Sequence, residues 1–467
     1  MTAQRKDRVT SVSTLDGSRL NARTRRLIVV LIFGSVLPLL DSSIVNIALN
    51  QLADTFNTSI AVIQWTVTGY ALASAVAIPV SGWATRRFGG KSVWVTALVV
   101  FLIGSVLCGF AWSPASLIGF RLLQGFGGGL SLPVMQTLLI GSAGRDQATR
   151  AMTAIGIPAV IAPVIAPFLG GLLLDTIGWR WIFWINAPLC ITGILLAVLF
   201  IPAGNPDKSH RLDLLGFATL CPGLALGVFA LSGMASASPH IALRVWLPLG
   251  LALAFLAAYI GHALRSTNPL VDFRLFRRPS FTGAFTALIL ASITFYGGLL
   301  LLPLYYQQEW GLSALQTGAL LAIQGIGAYL ARTTTNCLTS RIGTRNTVLT
   351  FLSLAVIGTI PFALLPHYGI IASVILAVAL MVRGAGIGAL TVLTMSATYH
   401  QAAPPEVSHA STASRIATQI GGALGATIFA TILTTNSTTT TFWWLTGITV
   451  LIIPAAALLP TGKIQRA

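Results

Sequence analysis

The sequence predicts an all-α polytopic membrane protein with about fourteen membrane-spanning helices. Of the 467 residues, 55% are hydrophobic and only 8% are charged, whereas about a quarter of the residues in a soluble globular domain are charged. Apolar runs of about 20 residues, the length that crosses a bilayer as a helix, recur between short polar breaks along the sequence. Helices are the expected form of these runs, because backbone groups in lipid must be paired within the segment.

The predicted helices form two groups of six with a pair between them. Residues 1–26 carry seven Lys or Arg and lack the apolar core of a signal peptide, so we expect a disordered cytoplasmic tail. The remaining division is 27–202 for the first six-helix half, 203–264 for two inserted helices, 265–280 for a cytoplasmic loop, 281–460 for the second half and 461–467 for a cytoplasmic tail. The predicted spans are 27–50, 60–81, 92–112, 114–141, 151–174, 181–202, 214–234, 244–264, 281–306, 315–337, 347–366, 370–398, 408–433 and 440–460.

The net charge of +17 is explained by membrane topology and does not indicate nucleic-acid binding. The basic residues are spread over short loops and form no patch beside aromatic stacking residues. With both termini in the cytoplasm, only Arg180 and Arg244 fall on the opposite side, as expected when Lys and Arg concentrate in cytoplasmic loops. The 24 arginines against four lysines, with abundant Ala, Gly and Thr, favour a bacterial genome and hence a bacterial inner membrane.

The sequence lacks the residue clusters that an enzyme, a metal centre or a cofactor site would need. The four cysteines lie in apolar segments without CxxC spacing, so no disulfide framework or metal site is expected. Gly89-Gly-Lys-Ser92 resembles the end of a phosphate-binding loop, but Thr85 stands where the first Gly is required and no strand precedes it. The sixteen residues of 265–280 are too few for a soluble catalytic or ATP-binding domain. Function must therefore reside in the helical bundle.

An internal repeat indicates two related halves. Gln124-Gly-Phe-Gly-Gly-Gly129 is echoed by Arg383-Gly-Ala-Gly-Ile-Gly388, and Thr85–Lys91 is echoed by Thr339–Arg345. Related halves are typical of transporters that rock around a cavity near the membrane midplane. We therefore expect a transporter that acts as a monomer, since each chain contains both halves.

Asp41 is the acidic residue placed well inside the predicted hydrocarbon, in the first span. At 1.5 Å per residue it lies ~21 Å from the inner end of that helix. A carboxylate there costs about 2.5–3.5 kcal/mol on insertion scales, so we expect it to face a wet cavity and to exchange a proton. The alternative is an acid paired to a fixed structural cation.

Arg121 lies about a third of the way into the fourth predicted span, where an unpaired guanidinium is costly. It therefore needs a partner or water. It acts either in the mechanism, through its field on Asp41 or a carbonyl network, or as a structural residue.

Two stretches rich in glycine and proline predict helices that either seal or gate a cavity or serve ordinary helix packing in the membrane. Small residues allow close approach of a neighbouring helix, and proline kinks a helix by removing a backbone hydrogen bond. The first stretch lies in the fourth span and the second in the fifth. The residues concerned are Gln124, Gly125, Gly129, Pro163, Pro167, Gly170 and Gly171.

Six short motifs occur in order along nearly the whole chain: Leu40–Leu49, Gly82–Lys91, Arg121–Gly125, Ala166–Gly171, Trp179–Asn186 and Gln419–Gly425. Together they resemble the fourteen-helix drug:proton antiporters of the major facilitator superfamily. The resemblance implies a major facilitator fold, with a substrate cavity between two six-helix halves, alternating access, and export of drugs or natural products in exchange for protons. It also implies that Asp41 is the proton and substrate acid of the first helix, and that Arg121 is the arginine of the fourth.

The inner loop departs from the pattern of that family, Gly-x-x-x-Asp-Arg-x-Gly. Arg86 stands at the Asp position, and Ser340 stands there in the second half. We therefore expect a charge-swapped latch, in which Arg86 or Arg87 meets Glu406 or else Asp146. The latch residues are Gly82, Arg86, Arg87, Gly89, Lys91 and Glu406.

Three further charged residues have two interpretations each. Glu309, near the outer end of the ninth span, is either a secondary proton or cation site or a solvated loop acid. Arg383 and Arg415 lie inside helices, where they either bind an anionic group of the cargo or satisfy carbonyl groups.

The expected function is export of amphipathic drugs or natural products, coupled to protons and without a cofactor. A single membrane carboxylate can alternate between one proton and one monovalent cation, which favours lipophilic cations or neutral compounds as cargo. The alternative is a translocase for lipids or hydrophobic natural products with weak or no proton coupling. A membrane enzyme or a receptor-like structural protein is disfavoured, because no paired acids, Ser/His pair or metal cluster is present.

Overall fold

A computed structural model describes residues 22–203, 206, 212–234, 245–266, 269–312, 314–364, 370–400, 406–435 and 437–459. Within these ranges, the side chains of residues 142–165 and of scattered other positions are not described. The predicted tails lie outside the description, except for residues 22–26 at the start of the first helix. The described chain is helical and contains no strand.

Thirteen helices build the described bundle, joined by shorter helical turns. The repeated apolar runs explain them, because a helix satisfies every backbone group within the segment. Their bounds are α1 Ala22–Ile44, α2 Trp65–Phe88, α3 Gly90–Gly109, α4 Pro114–Thr176, α5 Asn186–Phe200, α6 Leu214–Met234, α7 Leu247–Arg265, α8 Pro279–Leu304, α9 Ala314–Ile342, α10 Thr344–Leu364, α11 Ile370–His400, α12 Val407–Thr435 and α13 Thr438–Val450. The shorter elements are Val45–Ala48, Leu49–Thr55, Ile60–Ile63, Arg180–Trp184, Phe273–Arg277, Tyr305–Glu309 and Ile452–Ala457.

Ten helical stretches of the described chain are long and apolar enough to cross a membrane. The prediction of an all-helical, multi-pass membrane protein is therefore confirmed. The count of fourteen spans stays a prediction, and so do the proposed boundaries between the halves and the insert.

Helix α4 contains two of the predicted spans in one helical segment of 63 residues. A straight helix of that length would measure about 95 Å, roughly three times the hydrocarbon thickness. Leu117 and Ala166, near its two ends, are nevertheless buried in one apolar cluster with Val45 and Phe183. The helical chain therefore reverses direction between these two residues.

The glycine motifs of the internal repeat pack alike in the two halves. A Cβ at Gly125 would clash with the backbone of Tyr70 on α2, and one at Gly127 would clash with Phe101 on α3. In the second half, Gly384 leaves no room for a Cβ against α9, and Gly386 leaves none against α10. In each half, the motif therefore allows one helix, α4 or α11, to pack closely against two neighbouring helices.

Helices α6 and α7, which correspond to the predicted insert, pack where α2 meets α12. Ala75 and Ile78 of α2 share an apolar cluster with Ala413 of α12 and with residues of α6 and α7. Cys221 Sγ of α6 lies 3.6 Å from the carbonyl oxygen of Val76, and Thr427 of α12 donates a hydrogen bond to the carbonyl of Leu231 at 2.8 Å. Helix α6 therefore contacts both α2 and α12.

Candidate functional site: a buried ion pair and a cavity

Asp41 lies near the end of α1 with 1% of its surface exposed. Arg121 Nη1 donates a hydrogen bond to its Oδ2 and forms an ion pair with it. Gln124 Nε2 and Asn186 Nδ2 both donate to Oδ1, at 2.8 and 3.0 Å. The carboxylate is therefore fully enclosed by donors from α4 and α5.

Ser105 on α3 closes this arrangement. Its Oγ accepts hydrogen bonds from Gln124 Nε2 at 3.1 Å and from Asn186 Nδ2 at 3.0 Å, and donates to the carbonyl of Phe183 at 2.8 Å. We call Asp41, Ser105, Arg121, Gln124 and Asn186 the Asp41 network. Four helices, α1, α3, α4 and α5, meet in this network.

Arg121 is fully buried and has neutral partners as well as the carboxylate. Its Nε donates to the carbonyl of Thr66 at 3.1 Å, and its Nη1 also donates to Gln124 Oε1 at 2.8 Å. The guanidinium carbon lies 4.3 Å from the ring centroid of Tyr70, which is a cation–π contact. Nη2 has no hydrogen-bond partner among the described residues. Asp41 is the only acidic member of the Asp41 network and supplies its counter-charge.

The surroundings of Asp41 differ from the expected wet cavity. Ser35 and Leu39 of α1 line a cavity, but Asp41 is not among its lining residues. Two residues along a helix turn the side chain by about 200°, so Asp41 points away from the face that Leu39 presents. In this conformation the carboxylate pairs with Arg121 next to the cavity, and the choice between a proton-exchanging acid and a structural ion pair stays open.

The cavity lies between the two halves, nearer to the predicted inner side than the Asp41 network. It contains about 1030 Å³ of empty space, a figure that includes the solvent at its opening. The second half contributes most of its wall. The lining residues are Ser35, Leu39, Leu132, Met135, Gln136, Leu288, Ser292, Phe295, Tyr296, Arg332, Thr391, Val392, Met395, Ser396, Tyr399, Arg415 and Thr418.

Gln136 of α4 joins the halves at one edge of this cavity. With its amide oriented to satisfy all its neighbours, the oxygen accepts from Arg415 Nε at 3.1 Å. Its nitrogen then donates to Ser411 Oγ at 3.0 Å and to Tyr399 Oη at 2.6 Å. Arg415 therefore has an uncharged partner, and the predicted choice between cargo binding and carbonyl satisfaction stays open for it.

Two other arginines lie inside the second half. Arg332 of α9 lines the cavity with 5% of its surface exposed and donates from Nε to the carbonyl of Gly388 at 3.3 Å. Arg383 of α11 is fully buried and donates from Nη2 to the carbonyl of Thr294 at 3.4 Å. Among the described residues, Nη1 of Arg332 and Nε and Nη1 of Arg383 have no hydrogen-bond partner. Sequence reasoning missed Arg332, although an arginine in an apolar span far from any acid was a usable signal.

The charged residues of the predicted latch have other partners in this conformation. Glu406 accepts two hydrogen bonds from Arg278, at 2.9 and 3.0 Å. Arg86 Nη1 lies 2.9 Å from Nε2 of His409 on α12. The side chain of Asp146 lies outside the described residues. Pairing of Arg86 or Arg87 with Glu406 stays a prediction.

The remaining latch residues shape the turn between α2 and α3. Gly89 joins the two helices with φ +84°, a conformation that favours glycine. Lys91 Nζ donates to the carbonyl of Val198 at 2.7 Å. Arg87 lies over the neighbouring phenylalanine ring, and Gly82 is buried in α2.

Glu309 and the proline stretch complete the predicted residues. Glu309 Oε1 accepts a hydrogen bond from Thr438 at 2.8 Å, at the end of α8, away from the Asp41 network. The side chains of Pro163 and Pro167 lie outside the described residues. Gly170 is buried, whereas Gly171 has space for a Cβ.

Comparisons with known proteins agree with this architecture. The sequence model of the Major Facilitator Superfamily matches residues 31–426 and, in a second match, 284–466. The chain is 34% identical over 419 residues to the "Multidrug resistance protein B homolog" of Mycobacterium tuberculosis, covering 89% of this chain and 77% of that protein. It is 32% identical over 338 residues to the "Putative multidrug resistance protein MdtD" of Pectobacterium carotovorum, covering 72% of each. The crystal structure of the human organic anion transporter MFSD10 has a similar fold, with a TM-score of 0.65 at 16% identity, covering 93% of this chain and 99% of that one.

Proposed function

The chain belongs to the major facilitator superfamily of membrane transporters, and we propose that it is a proton-coupled antiporter that exports amphipathic small molecules by alternating access. Its similarity to two multidrug resistance proteins supports drug efflux. The closed ion pair between Asp41 and Arg121 is the main observation that supports proton coupling. A bacterial inner membrane and monomeric action are part of the proposal.

Protonation of Asp41 is the step that switches the Asp41 network. A neutral carboxylic acid no longer balances the guanidinium of Arg121, which is fully buried. Unpaired buried charges are costly, so Arg121 must move toward water, toward another acceptor or toward the cargo. A proton taken up from outside thereby favours a different packing of α1 against α4.

The same two helices connect the Asp41 network to the cavity. Helix α1 carries Asp41 and, on another face, Leu39, while α4 carries Arg121 and Gln136. Helices are stiff along their axes, so a shift at the ion pair moves the cavity wall. This arrangement supports a coupling of proton binding to cargo binding that does not require both at one carboxylate.

Alternating access requires the contacts between the halves to break and reform. At the end of the bundle predicted to be cytoplasmic, Arg86 of α2 contacts His409 of α12, and Gln136 of α4 contacts Tyr399 and Ser411. Cargo loaded from the cytoplasm must pass between these residues. We propose that protonation and release of Asp41 drive their opening and closing.

The test is cargo-evoked proton movement in everted vesicles that hold a pH gradient. Wild-type vesicles should lose part of the gradient when a transported amphiphile is added, whereas Asp41→Asn vesicles should not. Asp54→Asn is the matched control, because Asp54 is exposed at the end of Leu49–Thr55 and should behave as wild type. Equal proton movement in all three would refute coupling through Asp41. Cargo movement without protons would favour the translocase.

A further inference from the structure

The charge of the cavity is not explained by proton-coupled export alone. Two guanidiniums, Arg332 on α9 and Arg415 on α12, belong to its wall. The other lining residues are apolar, aromatic or uncharged polar, and no acidic side chain occurs among the described residues of the wall. The expectation that the cargo is cationic or neutral was based on Asp41, which does not line the cavity.

Neither cavity arginine is neutralised by a partner among the described residues. Arg332 donates to the carbonyl of Gly388 at 3.3 Å, and the described residues offer no partner to its Nη1. Arg415 donates to the amide oxygen of Gln136 from Nη2 and, at 3.1 Å, from Nε. Both acceptors are uncharged, so each guanidinium keeps its full positive charge next to the cavity.

The sequence has few acids that could supply the missing charge. The second half contains only Glu309 and Glu406. Glu406 is held by Arg278 outside the cavity wall, and Glu309 lies at the end of α8, away from the cavity. Asp41 of the first half is enclosed by its own arginine.

A third buried guanidinium strengthens the positive potential of this half. Arg383 is fully buried, and within the described part of the chain its Nε and Nη1 have no hydrogen-bond partner. It is not part of the cavity wall, but its charge adds to that of the two arginines that are. A low dielectric weakens such fields much less than water does.

We propose that the cargo is an amphipathic monoanion, an aromatic or alkyl carboxylate or sulfonate, whose oxyanion is bound by Arg332 and Arg415. The proposal deepens the proposed function and rests on it. Planar guanidiniums match the geometry of oxyanions and form strong charge-assisted hydrogen bonds with them. Phe295, Tyr296 and Met395 then supply the apolar wall for the body of the cargo.

An anionic cargo changes how export is driven. One monoanion leaving in exchange for one entering proton moves two positive charge equivalents inward. A membrane potential that is negative inside therefore drives the exchange directly. Exchange of a monovalent cation for one proton moves no net charge and responds only to the pH gradient.

The test is equilibrium binding to the purified full-length chain in lipid nanodiscs, measured without any gradient. Three probes share one aromatic body and differ in charge: 1-naphthylacetate, 2-(1-naphthyl)ethylammonium and 2-(1-naphthyl)ethanol. Empty nanodiscs correct for partition into lipid. We expect the carboxylate to bind at least about tenfold more tightly than the ammonium, the ratio expected for one charge-assisted hydrogen bond.

Substitutions of the two arginines test whether they cause the preference for the carboxylate probe. Arg332→Gln and Arg415→Gln should each weaken carboxylate binding by about tenfold and change binding of the alcohol less than about twofold. Arg341→Gln is the matched control, because Arg341 lies on the same helix as Arg332 and is exposed. Arg332→Lys and Arg415→Lys retain the positive charge and should keep most of the preference for the carboxylate probe. They control for misfolding as the cause of weaker binding in the glutamine variants.

Several outcomes would overturn the proposal. They are tighter binding of the ammonium, equal binding of the three probes, no carboxylate binding up to millimolar concentration, and unchanged carboxylate binding in both glutamine variants. Because no proton gradient is present, these outcomes are independent of proton coupling. Failure of proton movement in vesicles with normal carboxylate binding would instead refute the proposed function.

Discussion

Removing either charge of the Asp41 network should destabilise the protein. Removing both charges should cost no more stability than removing one. Asp41→Asn leaves the buried guanidinium of Arg121 with only Thr66, Gln124 and the ring of Tyr70 as neighbours. Breaking one side of a buried ion pair costs about 3–5 kcal/mol. We expect about 3 kcal/mol here, because these neutral groups still solvate the cation.

The reciprocal variant has a similar cost for a related reason. Arg121→Gln leaves the carboxylate of Asp41 with the amide donors of Gln124 and Asn186, at 2.8 and 3.0 Å. These donors stabilise the anion but do not neutralise it. We again expect a loss of about 3 kcal/mol in the free energy of unfolding.

The double variant Asp41→Asn/Arg121→Gln removes both charges and leaves only neutral groups. Its cost should be no greater than that of either single variant, which gives a coupling energy of about 3 kcal/mol. The assay is a denaturing-detergent titration in bicelles, followed by tryptophan fluorescence. Additive losses, with coupling near zero, would refute the assignment of this pair as the compensating charges of the bundle.

Three smaller perturbations follow from contacts elsewhere. Gly125→Ala should lower the free energy of unfolding by about 1–3 kcal/mol, because the new methyl overpacks against the neighbouring helix. Gly171→Ala should be close to neutral, because nothing lies near its new methyl. Thermal unfolding compares the two variants. Asn186→Ala removes a donor from the buried carboxylate and should lower the free energy of unfolding by about 1–3 kcal/mol in the same titration. Glu406→Gln breaks a partly exposed pair with Arg278, so a salt series should show a loss below about 1 kcal/mol.

Much of the fold follows from hydrophobic periodicity, and the exceptions have physical causes. Lengths near 20 residues located the helices, because the bilayer fixes the length of a crossing. The sequence showed two spans separated by polar residues at 142–150, whereas the structure has one helical segment there, α4. Polar residues mark the point where the chain leaves the hydrocarbon and meets water. The backbone hydrogen bonds of a helix can continue through such a polar segment.

The charged residues of the site could be predicted from the sequence, because charges inside the membrane are rare. Their hydrogen-bond partners were harder to predict, because they come from distant segments of the chain. Asp41 and Arg121 stand out in the sequence because intramembrane charges are expensive, but their mutual pairing depends on how α1 packs on α4. Asn186 and Ser105 are ordinary polar residues in their spans, so nothing local distinguishes them as partners of a carboxylate. For Glu406 the sequence offered several arginines nearby, and only the fold selects Arg278.

The position of the inserted helices has a consequence for entry from the lipid. Helices α6 and α7 lie beside the seam where α2 meets α12. The other contact of this kind between the halves, α4 against α9, has no comparable contact with α6 or α7 among the described residues. The two halves repeat each other, yet the surface they present to the bilayer is unequal. An amphiphile dissolved in the bilayer would therefore meet α6 and α7 on one side of the described bundle, and α4 and α9 directly on the other.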